Sequence, residues 1–207
     1  VVGPVDTLPE IRAVVANNIG ALQTLINYAD GVTPIDPQRP TLTAPALTDY
    51  ALAKDDAGNP LVNASNLASV NSAVDALTGQ DIASWRKVDA VIKSYNTILA
   101  AADGVLGDAS VLPTATDYAN VGVQALKTAF PNAGTAGSAD AALQTSAVAL
   151  LDQAVDASPR TQVDTVAKLN ALANIAARVI EQAAGQTVTP PLTSADLNQL
   201  HITPPVT

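Results

Sequence analysis

The 207-residue sequence is 48% hydrophobic, yet it holds one Trp, one Phe, four Tyr, no Cys and no Met. Its apolar content suffices for packed cores, built thinly from close Ala, Val and Leu helix contacts, and the missing Cys excludes disulfides, thiolate metal sites and thiol catalysis. A net charge of −9 and a pI near 4.2 repel phosphates and anionic lipid surfaces, which argues against nucleic-acid binding, and no stretch approaches the roughly 20 uninterrupted apolar residues of a membrane span.

With no Met and Val1 in first place, the sequence reads as an excised portion of a longer protein. The acids are almost all Asp, with Glu only at Glu10 and Glu181. Asp caps helices and makes turns, so many caps imply many short helices.

The first element spans Asp6 to Asp30 and closes at Gly31. Leu8, Ile11, Val15, Ile19, Leu22, Ile26 and Ala29 step by three or four residues and make one apolar helix face, with Pro9 tolerated in the first turn. A lone amphipathic helix is not stable in water, so residues 1–31 are assigned as the trailing long helix of a preceding module, packed on its neighbours.

A Pro- and Thr-rich connection leads to the short helical start Leu47-Thr-Asp-Tyr50-Ala-Leu. Leu67, Val70, Val74 and Leu77 then form a medium helix after Asn63 and Ser65. Trp85, Val88, Ile92, Tyr95, Leu99 and Ala102 form a long helix that closes at Gly104. These three elements define a first complete module over 41–104.

The order repeats over 113–185. Ala115-Thr-Asp-Tyr118 starts a short helix, and an insertion around Phe130-Pro-Asn-Ala-Gly134 follows. Leu143, Ala147, Leu150 and Ala154 mark the second helix after Ser138. Val166, Leu169, Ala173, Ala176, Ile180 and Ala183 mark the third, before Gly185. Ser194-Ala-Asp-Leu197 opens the first helix of another module over 191–207. Val88 and Leu169 each stand sixteen residues ahead of their closing glycine, while the first long helix carries about one extra turn. Val188-Thr-Pro-Pro-Leu192 is broken by Pro and reads as linker. The expected fold is all-α, made of tandem three-helix-bundle modules with partial modules at both ends.

Few residues suggest chemistry. His201 is the only histidine and lacks a partner at ligand or catalytic spacing, so it reads as a turn residue. Lys54-Asp-Asp-Ala-Gly-Asn-Pro60 hints at calcium but lacks the alternation and the closing acid of a calcium loop. Asp103 with Asp108 around Gly104 and Gly107 is weaker still. Trp85-Arg-Lys87 places an aromatic beside two cations, yet Trp85 shares the stripe of Val88 and Ile92 and reads as core. Tyr50 and Tyr118 occupy matching Asp-Tyr-Ala positions and read as core residues that fix helix packing. No phosphate loop, serine-hydrolase elbow or zinc-protease motif is present, so no catalytic, cofactor-binding or metal residue is assigned and no enzyme is expected.

The run Ala64-Ser-Asn-Leu-Ala-Ser-Val-Asn-Ser-Ala-Val-Asp-Ala-Leu77, the helix Asp6-Thr-Leu-Pro-Glu-Ile-Arg-Ala-Val-Val15 and the end Ala195-Asp-Leu-Asn-Gln-Leu-His-Ile-Thr203 carry a resemblance. They resemble the Ala-rich helical repeats of very large bacterial surface proteins and, more loosely, the albumin-binding three-helix modules of Gram-positive surface proteins. The sequence departs from that pattern where Gly-Val-Thr before the second helix reads Pro60-Leu-Val-Asn63. In the other module the insertion separates Gly122-Val123 from the second helix. The resemblance implies export to the bacterial cell surface and a structural or adhesive role, with neighbouring modules of the same chain as partners. The alternative it implies is a module that grips an extracellular host or matrix protein through a helix–helix groove.

Overall fold

A computed structural model describes residues 8–31, 43–107, 111–135 and 137–202. Among the described residues there are eight α-helices, two short 3-10 turns and no strand, so the protein is all-α as expected. Asp6, Asp108 and Thr203, used in the sequence reading, lie outside those residues. Two compact units divide the chain, Val1–Ile92 and Lys93–Thr207, with the boundary inside helix α3 (Trp85–Ala101).

The first unit begins with α1 (Leu8–Tyr28). Its last turns are buried through Leu25, Tyr28 and Ala29, whereas Leu8, Ile11, Val15 and Ile19 are exposed. The periodicity predicts packing along the whole stripe, but only its C-terminal part meets the 3-10 turn Leu47–Tyr50 and α2 (Leu67–Ala76). Burial in α2 runs through Val70, Ala73 and Val74 to Leu77 just beyond it. Its N-cap is Asn66, whose Oδ1 accepts from the Asn63 backbone N–H at 2.7 Å and whose Nδ2 donates to the Leu61 carbonyl at 2.9 Å. Asn63 shapes the turn ahead of the helix, accepting from the Ser65 N–H at 2.9 Å.

The second unit adds to the rest of α3 the helices α4 (Ala115–Asn120), α5 (Ala125–Ala129), α6 (Ala139–Asp156), α7 (Val166–Ala183) and α8 (Ser194–Gln199). Thr114 Oγ1 accepts from the Asp117 N–H at 3.3 Å, and Asp117 Oδ2 accepts from the Thr114 N–H at 2.9 Å, a reciprocal capping box. Thr193 and Asp196 repeat it ahead of α8, at 3.1 and 2.8 Å. In the first unit Asp49 Oδ2 likewise accepts from the Ala46 N–H at 2.8 Å, but Ala46 has no side-chain oxygen to return the bond. With half a box, that segment closes only as a 3-10 turn.

Helix α5 lies in the segment read as an insertion, and it buries Leu126 and Phe130. Its capping oxygen is distant in sequence: Asn170 Oδ1, on α7, accepts from the N–H groups of Gln124 and Ala125 at 2.8 and 3.0 Å. Helix α6 is eighteen residues long, as is α7, rather than the medium helix expected. Its buried stripe is Ala147, Leu151, Ala154 and Val155, while Leu143 and Leu150 are half-buried, because the face turned toward α7 is rotated from the expected set. In α7 the expected stripe is buried from Val166 to Ala176, with Ile180 half-buried and Ala183 exposed. Helix α8 packs on α7, and the Arg178 guanidinium donates to the Pro190 and Pro191 carbonyls and stands 3.7 Å from Asp196.

Candidate functional site

The turn Leu47–Tyr50 and helix α4 each deliver one aromatic side chain inward. Tyr50 and Tyr118 are both fully buried. The Tyr50 hydroxyl donates to Asn71 Oδ1 at 2.6 Å, and Asn71 Nδ2 donates to the Pro45 carbonyl at 2.9 Å. The Tyr118 hydroxyl donates to Asp152 Oδ1 at 2.8 Å. Asn71 and Asp152 stand at the same point of their helices, since Ala73-Val-Asp-Ala76 recurs 81 residues later as Ala154-Val-Asp-Ala157. Burial raises both phenols far above their ordinary range. Burial also lifts the Asp152 carboxyl to about 6, opposed by the Tyr118 hydrogen bond and aided by the charge of Asp117.

The same spacing carries further contacts. At the end of α1 the Gly31 N–H donates to the Asp75 carbonyl at 3.1 Å, and at the end of α3 the Gly104 N–H donates to the Asp156 carbonyl at 3.2 Å. Both glycines have positive φ, 78° and 87°, which a Cβ would oppose. Lys87 Nζ reaches the Gln80 carbonyl at 2.6 Å, and Lys168 Nζ reaches the Thr161 carbonyl at 2.7 Å. Asp75 and Asp156 are both buried. Burial, then the charge of Asp30, pushes the Asp75 carboxyl up to about 6. Asp156 Oδ2 accepts from the Gly107 N–H.

None of these carboxylates was singled out in the sequence. For Asp75 and Asp156 the signal was the Ala-Val-Asp-Ala recurrence, which puts Asp where an Ala-rich helix would otherwise bury a small apolar residue.

His201 has φ 55°, a turn residue in the left-handed region, where Gly122 with φ 88° holds the corresponding place after α4. Its Nε2 lies 3.1 Å from Ser158 Oγ. That pair is not a nucleophile and its base: Ser158 is wholly buried, and its hydroxyl proton goes to the Ala154 carbonyl at 2.6 Å. Ser158 Oγ is thus left to accept from the imidazole.

The Lys54–Pro60 loop is a tight reversal. Asp55 Oδ1 accepts from the Ala57 and Asn59 N–H groups at 3.0 and 2.7 Å, and Oδ2 accepts from Asn59 Nδ2 at 2.9 Å. Those bonds, the Asn59 side chain foremost, hold the Asp55 carboxyl below its ordinary range and use both its oxygens within the turn. Asp103 Oδ1 accepts from the Val105 N–H at 2.9 Å in the same manner.

Trp85 is half-buried rather than in the core, its indole N–H directed at the Asn18 carbonyl of α1 at 3.4 Å. Lys87 turns away to Gln80, so the Trp85-Arg86-Lys87 cluster does not assemble around one point.

Open grooves lie on the second unit. One, of about 560 Å³, runs between the turn Arg160–Gln162, α7 and α8 and is lined by Thr161, Lys168, Leu172, Asn198 and His201. Another, of about 380 Å³, lies between α4 and α6 beside Thr114, Gln144, Val148 and Asp152. Among the described residues no three His, Asp or Glu side chains are grouped to hold a metal ion, and no helix is long and apolar enough to cross a membrane. No protein-family model matches the chain, and neither the curated proteins nor the solved structures give a match.

Proposed function

We propose that this chain is a repeat region of a secreted bacterial surface protein, in which tandem three-helix modules act as a semi-rigid spacer or adhesion segment without catalysis. The observation that carries the reading is the recurrence of one set of bonds at one spacing. Asp75 and Asp156 accept from the closing glycines, and Lys87 and Lys168 tie back to carbonyls seven residues earlier. Reuse of one joint in successive units is how repeat proteins extend, each repeat contacting only its neighbours. Export and surface display are supported by the Asn-Leu-Ala-Ser-Val-Asn71 run and its likeness to bacterial surface repeats.

The spacer role is tested by scattering in solution. Duplicating residues 105–185 within the chain is expected to lengthen the particle's maximum dimension by a constant increment per added copy. Compaction toward a sphere sinks the reading. Antibodies against the chain should label intact cells that carry the gene, and labelling only after permeabilisation rules out surface display.

A further inference from the structure

Counted back from the closing glycine, the three long helices share one register. Val15, Val88 and Leu169 stand sixteen residues before Gly31, Gly104 and Gly185, and Ile19, Ile92 and Ala173 stand twelve before. Val88, Ile92, Leu169 and Ala173 are all fully buried. Val15 and Ile19 are 50% and 63% exposed, and Ile11 and Leu8, further along the same stripe, are 48% and 64% exposed. Only α1 presents this face to water. Four large aliphatic side chains on one helical face are unfavourable to leave in water.

The rest of the chain shows what covers such a face. On α7, where Leu169 and Ala173 are buried, the helix packs on the two helices that precede it, α5 and α6, which themselves bury Leu126, Leu151 and Val155. The C-terminal part of the α1 stripe already meets the 3-10 turn Leu47–Tyr50 and α2, so the site is free only over its first three turns.

We infer that the exposed stripe Leu8, Ile11, Val15, Ile19 is the acceptor for a helix pair of the α5–α6 kind, donated in the same polypeptide by a repeat that precedes α1. This rests on the tandem-repeat reading and deepens it by naming the face through which repeats join. The donor is Ala-, Leu- and Val-rich, as α5 and α6 are, and the one cation of that pair, Lys127, is exposed beside the buried Leu126.

The test compares the 207-residue chain with the same chain carrying a second copy of residues 111–165 ahead of Val1. Hydrogen exchange at α1 amides 11–20 is expected to slow by about 100-fold or more in the extended chain. Ile19→Asp should abolish that gain, while in the unextended chain it changes stability little because residue 19 faces water. Equal exchange in both chains overturns the inference. So does sedimentation of the unextended chain as a dimer that Ile19→Asp dissociates, since the face would then belong to a second copy. Either failure leaves surface labelling and the length increment per added copy unaffected, so the docking face and the spacer role are separately refutable.

Discussion

The Tyr118 hydroxyl donates to Asp152 at 2.8 Å, and at the matching place in the first unit Tyr50 donates to the neutral amide of Asn71 at 2.6 Å. One joint is thus built in two chemistries, one ionisable and one not. Asp152→Asn copies the first unit's solution. It is expected to stabilise the protein at pH 7 by about 1–2 kcal/mol, since it removes a carboxylate that burial penalises while keeping an acceptor for the phenol. Urea unfolding measures it, and a loss of stability at that pH contradicts the assignment. Tyr118→Phe strips the buried carboxylate of its donor and should cost about 1–3 kcal/mol.

Stability should rise as the solution is made mildly acidic. Asp75 and Asp152 titrate at about 6 in the folded chain, above the carboxyl's ordinary 3.8. The folded state therefore holds their protons more tightly. That contribution is complete below about pH 4 and is lost as pH rises through about 6. Moving from pH 7.5 to pH 5 should raise the urea midpoint by the equivalent of about 1 kcal/mol per group. Asp55 and Asp196 are held below their ordinary range by hydrogen bonds and act in the opposite sense, losing stability only under stronger acid. A midpoint that falls between pH 7.5 and 5 would falsify this account.

Asn170→Ala should free the start of α5. Two backbone N–H groups lose their acceptor, at a cost of about 1–2 kcal/mol, and the amides of residues 124–129 should exchange faster than those of α6. Uniform destabilisation with no local change at α5 would argue against this cap.

Ala46→Thr supplies the oxygen that Thr114 and Thr193 provide elsewhere. Completing the box with Asp49 should stabilise the first unit by about 0.5–1 kcal/mol and lengthen the 3-10 turn toward an α-helical turn. Thermal unfolding together with amide exchange over residues 47–51 checks both effects. Conversely, Thr114→Ala should weaken α4 by a similar amount.

What the sequence revealed was whatever is encoded within one turn of helix. The stripe from Val88 to Ala102 depends on residues three or four apart, so periodicity discloses it, and the starts Ala115-Thr-Asp-Tyr118 and Ser194-Ala-Asp-Leu197 fall on α4 and α8, although their capping residues, Thr114 and Thr193, stand one position ahead of the segments read. Helix α5 stayed hidden because its cap is Asn170, more than forty residues on. The buried carboxylates stayed hidden for a related reason: Asp75, Asp152 and Asp156 scan as the polar face of an Ala-rich helix, and only the fold turns them inward. Trp85 shows the converse, an aromatic on an apolar stripe that stays half-buried because it sits at the end of α3.

The bonds from Gly31 to Asp75 and from Gly104 to Asp156 each close a long stretch of polypeptide behind a single latch. If the chain is tugged from its two ends, the tension reaches these latches before it reaches the residues they enclose. Roughly 150 Å of extensible thread lies behind the first and roughly 180 Å behind the second, at about 3.5 Å per residue. That length is released only when a latch and the helices packed beneath it yield together. Under the spacer role proposed above, an aromatic-poor chain latched in this way absorbs a pull in discrete steps rather than going taut at once.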